Sequence, residues 1–464
     1  MNDIDCVGLA PLPDRYRSLD VWRGIACFLV VLIHAFSLPT DLMDSAGPWS
    51  NVGGWINRVA TRLWIGVPIF FVLSGYCIGA AADAHGRRRR PIREFFTSRL
   101  RRIYVPYFAA LALTAGLAAL FDLVSSEHRL SEVGVPNPAA LSPANWFGNL
   151  TLTEGLLSGL PGHVVRYQLL PAWTLCQEVQ FYAISGLLLW VASRHFFLAV
   201  AAFTAFGAIA VGLAARFGVH LPQGCVLRGT WLMFAMGLAV YWQVAAGTRR
   251  ARWLTLGLLL VPLTWSLCHP QLLVTLASNN HQNIFIAAIT ALLLVLLHPF
   301  DVSLSSRAIL APLAKLGTIS FSVYLIHFPV IRFCDMQRTI WLGTDMVWGL
   351  LVLLSAIALS MVAGELFYRA VERRTIGRWQ KGQSQPAAGN ARLASGGVVY
   401  LRVMANPTAT PIQPQRSSQG EPATTTLHPA QPIAPAFSAA FQEAPSQRRY
   451  IDRQAASRVP RDFE

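Results

Sequence analysis

Apolar residues in this chain fall into long runs separated by short polar segments. Ten runs, near residues 19–38, 61–82, 103–124, 172–192, 196–215, 225–245, 253–270, 283–300, 315–333 and 346–368, match the bilayer core's demand for about 20 mostly apolar residues per helix. The pattern predicts an all-α fold, a polytopic membrane helix bundle of about ten transmembrane helices within residues 19–374. A polar segment, residues 1–18, precedes it with no small-residue cleavage pattern after the first run, which is expected to stay as an anchor. The long loop at 125–171 carries the apolar stretch "WFGNLTLTEGLLSGL" among prolines, a pattern that suits a re-entrant or interfacial helix. Towards the C-terminus Pro, Ala, Gln, Ser and Thr take over, which predicts a disordered cytoplasmic tail over 375–464.

Composition supports a membrane class over a soluble multi-domain one: of 464 residues 54% are hydrophobic and 13% charged. The net charge of +15 could suggest nucleic acid, but the arginines cluster between the apolar runs, in "HGRRRRPIREFFTSRLRR", "TRRAR" and "YRAVERRTIGRWQK". With ten spans every cluster falls on one side, which makes that side cytoplasmic and puts both termini there. Nucleic-acid binding is set aside. The seven cysteines form no Cys-x-x-Cys pair and no zinc-type spacing with histidine, so neither a disulfide framework nor a metal site is expected.

Ionisable residues inside the runs carry the chemistry, because a charge at the bilayer centre costs at least ~2.5–3.5 kcal/mol on insertion scales. Arg23 and His34 stand eleven positions apart in the first run, within ~20° of one another around a helix and roughly 16 Å apart along it. Arg23 lies near the cytoplasmic surface, where it could equally snorkel to headgroups or pair with Asp20; His34 lies past the midplane. Glu178 in the fourth run is expected at a depth similar to His34, close enough to meet it and raise its basicity, with Tyr182 four positions on. A structural ion pair there is the alternative. Ser320, Tyr324 and His327 form one polar stripe, which interhelical hydrogen bonding also explains; Pro68, Ser74 and Gly75 read first as a kink and packing site. Arg99 and Arg102 share a face at the cytoplasmic boundary, where positive-inside topology or a phosphate-bearing ligand would place them. No nucleophile elbow, Walker loop, His-Glu-x-x-His or dinucleotide fingerprint is present.

Five of these segments, in order, resemble the acyltransferase-3 family of integral membrane O-acyltransferases. "SLDVWRGIACFLVVLIH" is similar to its arginine, ten residues, histidine signature, and "GVPIFFVLSGY" to its Phe-Phe-x-Leu-Ser-Gly segment. "SRLRRIYVPY", "PAWTLCQEVQFY" and "GTISFSVYLIHFPV" resemble its Arg-x-x-Arg-Ile, Trp-Ser-Leu-x-x-Glu-x-x-Phe-Tyr and late Ser-Tyr-x-x-Tyr-Leu-x-His motifs. Thr174 replaces a usual Ser, Phe321 a frequent Tyr, and Arg374 the proline of a closing Glu-Arg-Pro. The resemblance implies transfer of an acyl group, most often acetyl from acetyl-CoA with no metal, to a hydroxyl of a surface glycan or glycolipid at a bacterial inner membrane. Polysaccharide biosynthesis proteins are the partners it implies. By carry-over His34 is catalytic with Glu178 beside it, Arg23, Arg99 and Arg102 bind the donor, and Asp20, Ser74, Tyr182, Tyr324 and His327 are supporting polar residues. The competing expectation is a secondary transporter or flippase using the same buried groups as a relay.

Overall fold

Backbone polar groups in hydrocarbon must be satisfied within the chain, and the described residues are helices and turns with no strand among them. The structure, a computed structural model, describes residues 16–36, 59, 62–88, 91–124, 134–219, 221–246, 248–268, 281–341 and 346–375. Apart from Thr375, the predicted tail lies outside them, as does the segment before Tyr16. The helices are α1 (Leu19–Phe36), α2 (Gly66–Arg88), α3 (Ile92–Val124), α4 (Pro143–Thr151), α5 (Ala172–Val191), α6 (Phe196–Arg216) and α7 (Thr230–Ala246). They continue with α8 (Arg249–Cys268), α9 (His281–Leu297), α10 (Asp301–Ser306), α11 (Ala311–Thr318), α12 (Ser320–Trp341) and α13 (Met346–Phe367), which runs on into a π-helical turn, Tyr368–Glu372.

Every predicted span falls on helix, and six helical segments are long and apolar enough to cross a membrane. A seventh forms if the bent pair Ala308–Thr318 and Ser320–Arg338, angled at 73°, is one span. The remaining three predicted spans correspond to α5, whose Gln177, Glu178 and Gln180 dilute its apolar character, and to α7 and α8, whose apolar parts are shorter. The third predicted span begins earlier than its apolar run: α3 starts at Ile92, so Arg99 and Arg102 lie within one 33-residue helix. Leu187 and Trp190 on α5, Phe206, Ile209 and Leu213 on α6, and Leu350, Leu354 and Val362 on α13 are exposed apolar residues, as lipid-facing surfaces require.

Helix α1 packs along α2, α11 and α12, while α2 packs on α7 and α12 on α13. Its N-terminus is held by the buried carboxylate of Asp301 in α10, which accepts the backbone N–H groups of Arg17 (2.5 Å) and Ser18 (2.8 Å). A carboxylate there also faces the positive end of the helix dipole, worth about 0.3–1 kcal/mol when exposed and more when buried. Glycines allow the close approach of α1 and α11: a methyl group on Gly24 would strike the Leu313 carbonyl, and one on Gly317 the Asp20 carbonyl. Gly75 and Gly237 do the same between α2 and α7.

The loop before α5 contains α4, which has a Ser142 capping box and exposed Phe147 and Leu150, where the sequence predicts an interfacial or re-entrant helix. Glu154, fully buried, organises this loop: its Oε1 accepts from Asn145 Nδ2 (2.7 Å), the Arg166 backbone N–H (2.8 Å) and His163 Nε2 (3.1 Å). In the same loop burial pushes the Tyr167 phenol above its usual range.

Replacing Gly24 by Leu is expected to destabilise the protein by about 1–3 kcal/mol, the usual cost of overpacking, read as a lowered unfolding temperature in detergent. Gly86→Ala, in α2 with open space around it, should leave that temperature unchanged or raised.

Candidate functional site

Because polar side chains in a bilayer turn towards one another, the polar stripes of α1, α2, α3, α5 and α12 define where chemistry can occur. A cavity of about 830 Å³, part of it open to the surroundings, lies between these helices. Arg23 enters it from α1, Ser74 and Cys77 from α2, Arg99 and Arg102 from α3, Thr174, Glu178 and Tyr182 from α5, and Ser320 and Tyr324 from α12. Helical spacing explains the set: 99 and 102 are one turn apart, and 174, 178 and 182 stand at i, i+4 and i+8 on one face. Three guanidinium residues and one carboxylate are among the lining side chains, so basic groups outnumber acidic ones there.

Arg23, which lines the cavity, donates to Asp20 Oδ1 (3.3 Å), one of the alternatives its sequence position left open, and to the Cys77 sulfur (2.8 Å). Glu178 accepts the Tyr182 hydroxyl at 2.5 Å. The Tyr324 hydroxyl shares a hydrogen bond with Thr174 (2.7 Å), and its ring lies edge-on to Phe70 at 5.8 Å.

His34 lies outside the cavity lining, one of two departures from the sequence-based geometry. Its ring packs at 5.0 Å on His327 of α12 and at 5.5 Å, edge-on, to Phe328. His34 Nδ1 stands 2.8 Å from the Val30 carbonyl and 3.3 Å from His327 Nε2. The second departure is Glu178, expected beside His34: it lines the arginine-rich cavity, where an ionised carboxylate is better accommodated than against an imidazole. Equal depth along two helix axes did not translate into contact, because α12 supplies the neighbour of His34. The two halves are joined by Tyr324, whose ring is 5.7 Å from that of His327.

Sequence reasoning passed over one buried pair. Ser322 donates to Glu372 at 2.5 Å, tying α12 to the π-helical turn that ends α13. No sequence signal could have found it: a π-turn adds a residue to the helical register, and nothing in "YRAVERR" announces one. Cys77 and Phe70 were likewise read only as parts of an apolar run. Among the described residues no His, Cys, Asp and Glu cluster could hold a metal.

A family model described as an acyltransferase domain matches residues 16–365. A putative membrane-bound transacylase BcsY from Komagataeibacter xylinus is 29% identical over 365 residues, 78% of this chain and 83% of that protein. The acyltransferase MdmB from Streptomyces mycarofaciens is 25% identical over 398 residues, 79% of this chain and 95% of that one. No solved structure matches.

A double-mutant cycle on Ser322→Ala and Glu372→Gln is expected to return a coupling energy of about 0.5–3 kcal/mol in unfolding measurements, the span from a neutral to a charge-assisted hydrogen bond.

Proposed function

Since this chain belongs to the acyltransferase-3 family and is a membrane acyltransferase, we propose that it moves an acyl group, in the first instance acetyl, from cytoplasmic acyl-CoA to a hydroxyl of an exported polysaccharide or glycolipid. On this proposal it sits in a bacterial cytoplasmic membrane, with both termini inside and its arginine clusters on the cytoplasmic face. Polysaccharide biosynthesis proteins would supply the acceptor.

The observation that carries the proposal is the convergence of Arg23, Arg99 and Arg102 on one cavity whose lining includes Tyr324, a neighbour of His327. Guanidinium groups suit the phosphates of a CoA, which they bind through charge-assisted hydrogen bonds. Glu178 and Tyr182 offset part of that positive charge. The cavity stops short of His34, so the proposal requires the thin pantetheine arm to pass between Phe70 and Tyr324 when the donor binds. At the far end His34 takes the proton of the acceptor hydroxyl while its oxygen attacks the thioester carbonyl. A carbon–oxygen bond forms, the carbon–sulfur bond breaks, and the departing thiolate takes the proton back from the imidazolium.

Transfer of labelled acetyl from acetyl-CoA to glycan or lipid in membranes of expressing cells tests this. Arg99→Ala and Arg102→Ala should each raise KM for acetyl-CoA about 10-fold or more, the loss of one charge-assisted bond of ~1.5–3 kcal/mol. His34→Ala, with the protein inserted at normal levels, should lower kcat by about 10²–10⁴. Undiminished transfer by His34→Ala would refute the assignment.

A further inference from the structure

Two backbone carbonyls determine where the protons of the histidine pair sit. A carbonyl only accepts, so Val323 O, 3.1 Å from His327 Nδ1, requires a proton on that nitrogen; in a neutral ring Nε2 then carries the lone pair. Val30 O, 2.8 Å from His34 Nδ1, requires a proton there in the same way. The His34 Nδ1–H therefore stands between two acceptors, Val30 O and His327 Nε2, as a three-centre hydrogen bond, and the lone pair of neutral His34 is on Nε2. Both carbonyls lie one turn earlier on the same helix as the ring they address, so the helices themselves impose the arrangement.

We propose that His327 is the positioning residue of this site, a neutral imidazole that holds His34 in the Nδ1–H tautomer and steadies the imidazolium formed when His34 takes a proton. The inference rests on His34 acting as the base, as put forward above. In hydrolases that use a serine and a histidine, a buried carboxylate performs the corresponding task on the far nitrogen of the base. Here the partner is uncharged and completely buried, which suits a site enclosed by α1 and α12 where a second carboxylate would be costly to desolvate. When His34 becomes positive, its Nδ1–H bond to His327 Nε2 becomes charge-assisted and stronger. His327 touches neither donor nor acceptor on this account; it acts through His34 alone.

The test compares His34→Ala, His327→Phe and His327→Gln in the same membranes, with labelled acetyl-CoA as donor and kcat and KM measured separately. Phe keeps a flat ring but removes the acceptor; Gln supplies a carbonyl oxygen that can accept from His34 Nδ1–H. The expected result is a fall in kcat of about 10–10² for His327→Phe, with KM for acetyl-CoA within about twofold of the parent, and recovery of most of the loss in His327→Gln. Full kcat in His327→Phe beside an inactive His34→Ala would overturn the positioning role while leaving the base assignment intact. Equal losses in the Phe and Gln variants would overturn it too, by showing that ring shape rather than an acceptor matters. Activity in His34→Ala would remove the base and this inference together.

Discussion

A charged or hydrogen-bonding side chain survives inside hydrocarbon only where neighbouring helices supply partners for it, and helix α1 carries two such side chains on one face. Arg23 finds Asp20 and Cys77; His34 finds the Val30 carbonyl and His327. Asp20 and Val30 belong to α1 itself, whereas Cys77 and His327 sit on α2 and α12, which must come close to α1 and stay in register with it. Close contact with α11, the helix leading into α12, comes from Gly24 and Gly317. Register is aided by Asp301, which grips the N-terminal amides of α1 from a helix almost three hundred positions later in sequence. Packing at the glycines, capping at Asp301 and polar pairing at Arg23 and His34 are thus three parts of one requirement.

The requirement divides the interior into two polar regions of different chemistry. One is a cavity lined by three arginines and a carboxylate; the other is a pair of imidazole rings packed against each other and against Phe328. Helix α12 belongs to both, with Ser320 and Tyr324 on the cavity, His327 beside His34, and Ser322 tied to Glu372. It meets α11 at an angle of 73°, and both helices pack against α1. Gly317 and Ser320 flank that bend, and the Ser320 hydroxyl donates to the Gly317 carbonyl at 2.8 Å, which fills a bond the broken helix would otherwise lose.

Much of this was legible in the residues. Apolar runs located the helices, because hydrocarbon leaves a chain few other options, and the eleven-residue spacing of Arg23 and His34 placed both on one face of α1. Helical periodicity also paired Arg99 with Arg102 and Glu178 with Tyr182, but Ser74 had read as part of a kink and packing site, and only the folded chain brings all five to one cavity. What periodicity could not supply was rotation of one helix about its axis relative to another. Glu178 had the depth to meet His34 but faces the arginines, and His327, read as one member of a stripe, is the ring His34 packs against. The π-turn at Tyr368–Glu372 was invisible for a related reason: one extra residue in a helical register leaves no compositional trace.

The edge-to-face contact of Phe70 with Tyr324 has a consequence for the membrane as a whole. A bilayer that stores an electrochemical gradient fails if a continuous file of water joins its two faces, and a column of arginines, carboxylate and imidazoles is the kind of lining along which water and protons travel. Phe70 and Tyr324 set two aromatic rings into that lining, and rings offer a file of water fewer hydrogen-bonding partners than the polar side chains around them do.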